Sequence, residues 1–233
     1  MKTVKFLFKS EFLVFLKKRG VEFYYSFQGP QTVKHLIESF GIPHTEIGDI
    51  IVNGNVVGWD HLVIDHDFIE VHPNLYGTEY THPFNFILDN HLGKLAKYLR
   101  LLGFDGIYRN DITDIELSTI SAQTNRILLT RDVRLLMRKE ITRGYWVRSK
   151  IPREQLAEIT RKFQLFNKIR PFTRCALCNG ALISVDKISI IPHLQALTKE
   201  YYDNFRICEN CNQIYWQGSH IDRINEIISQ VSN

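Results

Sequence analysis

Four cysteines form the clearest chemical pattern in this sequence. Cys175 and Cys178 make one C-x₂-C pair, Cys208 and Cys211 make a second, and the chain has no other cysteine. Two thiolates on one tight turn can face the same ion, and two such turns complete a tetrahedral Cys₄ shell. The spacing therefore predicts a structural zinc site. Because a closed Cys₄ shell leaves no open position for a substrate, the reaction centre should lie elsewhere.

Two disulfide bonds are the alternative use of these cysteines. The first ten residues, MKTVKFLFKS, lack the apolar core and the cleavage site of a secretory signal peptide. We therefore expect a cytoplasmic location, where the reducing environment keeps thiols available for a metal. No apolar run approaches the roughly 18 residues that a membrane span needs, so no membrane partner is expected.

A second set of residues has the chemistry of a catalytic metal site. Asp89 and Asp132 each follow a short apolar segment that predicts a buried strand, and further acids lie near a helix start, at Asp111, Asp114 and Glu116. Functional groups of parallel α/β sheets gather beyond the carboxyl ends of the strands. Two carboxylates about 4 Å apart repel by roughly 4 kcal/mol at an effective dielectric near 20, so such a cluster needs protons or a hard cation. Mg²⁺ or Mn²⁺ with bound waters suits the attack of water on a phosphodiester.

Each of these acids also has a structural interpretation. Asp89 and Asp132 could cap the helices that follow them, since Asp is a frequent N-cap residue. Glu116 fits a capping box with Thr113, and Asp114 in the first turn suits the helix dipole. The joint placement of the acids at strand ends, inside a basic segment, favours the metal site.

Basic residues are concentrated in the middle of the chain. Residues 94–174 carry 18 Lys and Arg against 8 Asp and Glu, although the net charge of the whole chain is only +4. Such an excess favours RNA as a partner, because neutralising phosphates releases counterions. Solvated helix faces are the alternative interpretation. Lys94, Lys97 and Arg100 lie off the apolar stripe of one predicted helix and should give it a basic solvent face. These three residues, with Arg131 and His220, are the candidate RNA-binding residues.

Residues 1–75 are predicted to form a small mixed domain. Alternating apolar residues indicate strands, a 3.6-residue period closed by Gly41 indicates a helix, and Asn53-Gly54 indicates a hairpin. The predicted strands cover 4–8, 21–27, 49–52 and 67–72, and the predicted helix covers 33–40. This β-β-α-β-β order predicts a β-grasp sheet with one helix packed across it.

Residues 41–46 and 52–54 carry a resemblance to the ubiquitin-like domain that precedes certain RNase domains and is close to the small sulfur carriers. Sulfur carriers need a free C-terminal Gly-Gly, whereas this chain continues through His72-Pro73. The expected role is therefore substrate or partner selection, or structural support. His44 and Glu46 could form a site, or they could be ordinary turn polars.

Residues 84–168 alternate strands with helices, which predicts parallel pairing and right-handed crossovers. The linker composition of residues 74–83 marks the preceding boundary. The predicted strands cover 84–88, 127–130 and 145–147, and the predicted helices cover 92–102, a segment from 113, 133–140 and a segment from Pro152.

Residues 169–233 are predicted to form a zinc ribbon and a final helix, with a further helix in the insert at 192–202. Tyr215, Trp216 and His220 could stack on unpaired bases. Alternatively they complete a small core against the final helix, which is the favoured interpretation for Trp216. The apolar residues of that helix are Ile221, Ile224, Ile228 and Val231. His220 is also a possible extra metal ligand, although four sulfurs already fill a tetrahedral shell.

Longer motifs extend a resemblance over essentially the whole chain. They are LDNHLGKLA at 88–96 with LRLLGFD at 99–105, ND at 110–111, DIEL at 114–117, RILLTRD at 126–132, PFTRC at 171–175 and YWQGSH at 215–220. These stretches are similar to the PIN-like RNases of the Mut-seven C-terminal type. The resemblance implies a PIN-like parallel sheet with flanking helices, between a ubiquitin-like domain and a zinc ribbon. It also implies metal-dependent ribonuclease activity.

Transferred position by position, the resemblance implies Asp89 and Asp132 as the main Mg²⁺ or Mn²⁺ ligands. Asp114 would be the third acid, with Glu116 or Asp111 as helpers. Many PIN nucleases carry a fourth acid shortly after the third-strand Asp, and residues 133–135 supply none here. Arg131 or Lys94 would stabilise the negative charge of the pentacovalent phosphorus that forms when water attacks. A non-catalytic RNA-binding or ribosome-associated adaptor with the same fold is the alternative function.

Overall fold

The computed structural model describes residues 1–76 and 83–218. The chain divides into two compact units, one of Met1–Tyr76 with Asp114–Trp146 and the other of Gly77–Thr113 with Val147–Asn233. The units do not follow the predicted domains at 1–75, 84–168 and 169–233, because residues 114–146 pack with the N-terminal segment; those boundaries stay a prediction. His220 and the predicted final helix lie outside the described residues, as does most of the predicted linker.

The N-terminal segment forms the predicted β-grasp sheet. Its strands are β1 (Lys2–Phe8), β2 (Glu22–Phe27), β3 (Ile47–Val52), β4 (Asn55–Val57) and β5 (Phe68–Pro73), and its helices are α1 (Leu13–Leu16) and α2 (Val33–Ser39). The strand order is β2-β1-β5-β3-β4, with β1 and β5 parallel and the other neighbours antiparallel. The one-turn helix α1 and the short strand β4 had no prediction of their own.

Aromatic packing fixes the centre of this sheet. Period-2 alternation in β1 buries Val4, Phe6 and Phe8 on one face. Phe6 and Phe8 lie within ring-centroid distances of 5.2 to 6.0 Å of Phe23 and Phe40. Because Phe40 follows directly after α2, this cluster holds the helix against the sheet.

The remaining elements alternate strands with helices before a C-terminal ribbon. The strands are β6 (Phe86–Leu88), β7 (Gly106–Ile107), β8 (Ile127–Thr130), β9 (Gly144–Trp146), β10 (Leu182–Val185), β11 (Phe205–Cys208) and β12 (Ile214–Trp216). The helices are α3 (Gly93–Leu101), α4 (Asp114–Thr124), α5 (Pro152–Lys162), α6 (Lys187–Ile190) and α7 (Ala196–Tyr201). β6 and β7 pair in parallel, β8 and β9 pair in parallel, and β10-β11-β12 are antiparallel. The predicted fold class, α/β with parallel strand pairs and a β-grasp front, is confirmed.

The predicted helix over 133–140 is wrong. The structure has only a 3-10 turn at Leu135–Met137. Arg138 then takes an extended backbone conformation, with ψ of 132°, so an α-helix cannot continue through it. The apolar residues Leu135 and Leu136 that imitated a helical stripe are buried by this turn instead.

Helix α3 has the predicted amphipathic pattern. Leu95 and Leu99 are fully buried, and the backbone at Gly103 (φ +93°) ends the helix in the left-handed region. In the same compact unit, Phe163 at the end of α5 lies 5.6 Å from the ring of Phe86 on β6. None of the described helices is both long and apolar enough to cross a membrane.

Candidate functional site

The four cysteines meet at one point. Their Sγ atoms all lie within 4.8 Å of one another. The Cys175 and Cys211 sulfurs are 3.6 Å apart and those of Cys178 and Cys208 are 3.3 Å apart. A tetrahedral shell with Zn–S bonds of about 2.3 Å has S···S edges of about 3.8 Å, and all four thiols are free of disulfides. The donor set and its size therefore suit a tetrahedral, thiolate-bound ion such as zinc.

The two C-x₂-C turns, Cys175–Cys178 (the first knuckle) and Cys208–Cys211 (the second knuckle), have the same backbone conformation. Asn179 and Asn212 directly follow the second cysteine of each pair and take positive φ values of 70° and 58°. Asn tolerates this left-handed conformation better than most residues. Each Asn N–H donates to the carbonyl of the first cysteine, at 3.0 Å in both knuckles. This repeated turn brings each pair of thiols to the same side, which the C-x₂-C spacing predicted.

The surroundings of Cys175 favour its thiolate. Burial opposes ionisation, but hydrogen bonds from the backbone N–H groups of Cys178 and Leu177 and from the Tyr215 hydroxyl lower the pKa of Cys175 to about 6. The pKa of Cys178 is raised, chiefly by burial. The pKa of Cys211 is raised to about 12, so the four sulfurs would all be thiolates only beside a cation, as in a metal site.

Arg100 joins the first knuckle to the helix α3. It is 5% exposed, and its Nε donates to the Gly106 carbonyl at 2.8 Å while Nη1 donates to the Leu177 carbonyl at 2.7 Å. Burial lowers the pKa of this guanidinium, and the nearby thiolates of Cys175 and Cys178 oppose that shift. The expectation that Arg100 lies on a basic solvent face is therefore wrong. Its position four residues after the buried Ala96 is the signal that indicates the buried side of the helix.

Asp105 holds the same knuckle from the loop after α3. Its Oδ1 accepts from Asn179 Nδ2 at 2.8 Å, and its Oδ2 lies 3.3 Å from Nη2 of Arg174. Asn179 in turn accepts from the Gly106 N–H at 3.0 Å. No role was predicted for Asp105 or Asn179; the only signals for them are the place of Asp105 in the motif LRLLGFD and that of Asn179 directly after the first C-x₂-C pair.

Asp89 follows β6, as predicted. It takes the N-cap position of a 3-10 turn at Asn90–Leu92, but its side chain makes no capping hydrogen bond to that turn. The residue is only 7% exposed. The capping interpretation of Asp89 is therefore not supported by the turn that follows it.

Asp132 follows β8, also as predicted, and belongs to the other compact unit. Its Oδ1 accepts from the Arg134 N–H at 2.8 Å, a local bond in the turn that precedes Leu135–Met137; the helix that Asp132 was alternatively expected to cap does not form. Asp114 and Glu116 lie in the first turn of α4, and Asp111 is exposed, 4.0 Å from Nε of Arg109. Within each unit, the described acids form no group of three with the close spacing of the cysteines. A shared metal ion at Asp89 and Asp132 stays a prediction.

The basic candidates differ in their exposure. Lys94 and Lys97 are exposed on α3, and Arg131 is half-buried before Asp132. Arg100 is used for the knuckle, as described above, and His220 lies outside the described residues. Lys94 and Lys97 therefore remain the accessible cations of this helix.

His44 and Glu46 have structural partners within their own unit. The two ring nitrogens of His44 lie 2.8 Å from Oε1 of Glu38 and 2.8 Å from the Ile141 carbonyl. Glu46 is 3% exposed and accepts from the Trp146 N–H at 2.7 Å. These two side chains hold residues 141–146 against the N-terminal segment, so their motif stabilises the fold.

Tyr215 and Trp216 lie beside the second knuckle. The Tyr215 hydroxyl is 3.1 Å from Cys175 Sγ and accepts from the Ala176 N–H at 3.0 Å. Trp216 packs on the small core of Ile190, Leu194 and Phe205. Trp216 is therefore part of a small core, as expected. The final helix that was expected to share that core lies outside the described residues.

The comparisons with known proteins identify two family domains in the chain. Residues 84–228 match the model described as the Mut7-C RNAse domain, and residues 1–78 match the Mut7-C ubiquitin domain. No curated protein and no solved structure matches the chain. The description of the larger match points to a nuclease-type function. Because that match covers more than half of the sequence, the chain belongs to the Mut7-C RNAse domain family.

Proposed function

We propose that this protein is a metal-dependent ribonuclease that hydrolyses RNA phosphodiester bonds. The match of residues 84–228 to the Mut7-C RNAse domain carries the proposal. The placement of Asp89, buried directly after the carboxyl end of β6, supports it. Strand ends are the positions where α/β proteins place their reactive groups.

Asp89 and Asp132 would hold Mg²⁺ or Mn²⁺ as its main ligands. Asp114 would be the third acid, with Glu116 or Asp111 as a helper. Carboxylate oxygens are the ligands that these hard cations prefer. When bound, the ion would supply an ionised water and neutralise charge on the phosphate. Lys94 or Arg131 would bind the phosphate oxygens and stabilise the negative charge that grows on them.

The Cys₄ cluster would hold a structural zinc ion. Cys175, Cys178, Cys208 and Cys211 fill a tetrahedral shell, so this ion would stabilise the ribbon and take no part in hydrolysis. The ubiquitin-like domain would select an RNA substrate or a protein partner. His44 and Glu46 of that domain are hydrogen-bonded to Ile141 and Trp146, which belong to the RNAse match. A substrate or partner bound by the ubiquitin-like domain would therefore be held close to this part of the RNAse match.

Metal-restored cleavage of labelled RNA tests the nuclease proposal. The zinc-loaded protein, freed of Mg²⁺ and Mn²⁺, should leave the RNA intact, and adding either ion should start cleavage. Asp89→Asn and Asp132→Asn should each lose at least about a hundredfold in rate, because a metal ligand contributes several kcal/mol and each 1.4 kcal/mol is tenfold.

Asp49→Asn is the matched control. This exposed residue on β3 lies outside the RNAse match, and its substitution makes the same change in charge. It should cleave like the unmodified protein, and thermal unfolding should show that all three variants fold. Metal-independent cleavage, or full cleavage by both site variants, would refute the metal mechanism. RNA binding that is retained without any cleavage would favour the non-catalytic adaptor.

A further inference from the structure

A groove lies between α3 and the zinc ribbon, within one compact unit. Its volume is about 400 Å³, which falls within the range of about 300–1,000 Å³ typical of ligand pockets. One wall is the exposed face of α3, with Lys94, Lys97 and Tyr98. The other wall is the first knuckle at Leu177 and the strand β12 at Trp216.

Both walls present apolar and aromatic surface to the groove. Leu177 is 60% exposed at the tip of a turn that two cysteines hold, where a polar residue would be the ordinary choice. Tyr98 is half-buried on the helix side, and Trp216 is half-buried on the ribbon side. Flat rings and an aliphatic side chain around a cleft are the surfaces on which unpaired bases stack.

The rim of the groove is positively charged. Lys94 and Lys97 are three residues apart on α3, and such residues are neighbours on a helix surface, with Cβ atoms about 5–6 Å apart. Among the described residues that line the groove, these two are the only charged ones. A polyanion therefore meets cations on the helix side and, within the described lining, no opposing acid.

The groove also begins at the N-terminal end of α3, the end that is next to Asp89 in the sequence. The helix starts directly after the turn that Asp89 opens, and Lys94 is its second residue. Lys97 and Tyr98 follow within the next turn, about 5 Å further along the axis. A chain that lies along the groove is therefore directed toward the Asp89 end of the helix.

We propose that this groove binds a single-stranded segment of RNA, with unpaired bases against Tyr98, Leu177 and Trp216 and phosphates on Lys94 and Lys97. The proposal rests on the ribonuclease function and assigns its substrate class, unpaired strands. Bases inside a duplex are stacked on one another and cannot enter a groove of this kind.

Binding without catalytic metal tests the groove separately from cleavage. The probe is a fluorescein-labelled RNA of about 12 nucleotides with no self-complementarity, used alone or annealed to its complement, and the readout is anisotropy with zinc-loaded protein. The single strand should bind at least about tenfold more tightly than the duplex. Tyr98→Ala should weaken single-strand binding roughly tenfold, as loss of an aromatic stacking surface does. Leu177→Ser should weaken it in the same direction, because it removes apolar contact area from the facing wall.

Two matched controls separate the groove from general surface effects. Leu197→Ser removes a leucine of similar exposure, 69%, on α7 outside the groove and should bind normally. Lys94→Ala with Lys97→Ala should lower the slope of log affinity against log salt by about 1.4, since each phosphate contact on a single strand contributes about 0.7. The control Lys150→Ala with Lys199→Ala removes the same charge outside the groove. Its slope of log affinity against log salt should stay close to that of the unmodified protein.

The outcomes distinguish this proposal from the nuclease proposal. Equal affinity for single strand and duplex, or groove variants that bind like Leu197→Ser, would overturn the groove assignment even if the protein cleaves RNA with Mg²⁺ or Mn²⁺. Strand-selective binding that the groove variants lose, in a protein that never cleaves, would support the groove and refute the nuclease proposal.

Discussion

Tyr215 connects the ribbon core to the metal-binding thiols. Its hydroxyl accepts from the Ala176 N–H and lies within hydrogen-bonding distance of Cys175 Sγ, so its own proton is directed at the sulfur. Burial and the neighbouring Cys175 thiolate raise the pKa of Tyr215, which keeps the hydroxyl protonated as a donor. Partners of this kind orient a metal ligand without touching the metal.

Tyr215→Phe should weaken zinc retention roughly tenfold while leaving one zinc per chain, because loss of such a partner typically costs 10–100-fold in affinity. Competition with a chromogenic chelator measures the change. Cys211→Ser, which removes a ligand, should fail to hold stoichiometric zinc, and Tyr201→Phe, at a residue 67% exposed, should change nothing. Unaltered competition by Tyr215→Phe would show that its hydroxyl does not orient Cys175.

Single residues were predictable from the sequence where spacing alone defines the chemistry. The two C-x₂-C pairs bring their thiols together by local turns, so their positions were sufficient. The solvent-facing, RNA-binding role predicted for Arg100 was wrong, because its partners include backbone carbonyls from a segment about 75 residues away. Every residue has a backbone carbonyl, so the sequence does not show which ones accept a bond from an arginine. An arginine beside an apolar stripe therefore resembles an ordinary solvent-facing cation.

At the scale of elements, α3 and the first knuckle act as one piece. Arg100 supplies donors to both the β7 strand and the knuckle, and Asp105 and Asn179 complete the contact. Buried hydrogen bonds from a charged group contribute more than neutral ones, and each carbonyl left unpaired costs about 1–3 kcal/mol. The first cysteine turn, a candidate for metal binding, is therefore positioned by the helix that carries the candidate RNA-binding lysines.

Arg100→Met should lower the free energy of unfolding by about 2–4 kcal/mol, because the Gly106 and Leu177 carbonyls lose their donor. Urea denaturation at saturating zinc measures this. Arg100→Lys should recover only part of the loss, since an ammonium lacks the planar fork. Arg153→Met on the exposed side of α5 should stay within about 0.5 kcal/mol of the unmodified protein. An equally small effect of Arg100→Met would contradict the docking role.

Gly103→Ala should destabilise the fold more than Gly41→Ala. Both glycines follow helices at positive φ, +93° and +86°. A Cβ at Gly103 would overlap the Arg170 carbonyl oxygen, whereas nothing lies within 4 Å of one at Gly41. Strain alone costs about 1–2 kcal/mol, and overpacking adds about 1–3 kcal/mol at Gly103. Thermal and urea unfolding of both variants give the comparison, and equal losses would contradict the predicted clash.

Elements were predictable where periodicity and a stop residue agreed. Helices α2 and α3 have apolar stripes that end at a glycine, and both formed as predicted. The segment 133–140 has apolar residues at helical spacing but no such stop, and only a 3-10 turn formed there. The two-residue strand β7 was missed because it is too short to show a period.

At the scale of the whole molecule, sequence families and compact units divide the chain differently. The ubiquitin-like match ends at residue 78, yet residues 114–146 of the RNAse match pack with residues 1–76. Val133 and Trp146 lie against the N-terminal core, and Ile141 and Trp146 bond to His44 and Glu46. The packing of residues 114–146 with the N-terminal segment could not be predicted from the sequence, because the bonds from His44 and Glu46 end on backbone groups of Ile141 and Trp146. The ubiquitin-like segment is therefore part of the scaffold that carries β8, β9 and Asp132.

A double-mutant cycle on Phe15 and Trp146 tests this shared unit. The two rings lie 5.0 Å apart at an angle of 45°, one in α1 and the other at the end of β9. Phe15→Ala and Trp146→Ala should each destabilise the protein, and the double variant should lose less than their sum by about 0.5–1.5 kcal/mol, the coupling of an aromatic pair. Phe15→Ala combined with Tyr24→Ala, a residue 72% exposed, should be additive within about 0.5 kcal/mol. Strict additivity of Phe15 and Trp146 would mean that this ring pair does not couple the two segments, and the shared unit would then rest on the bonds from His44 and Glu46 alone.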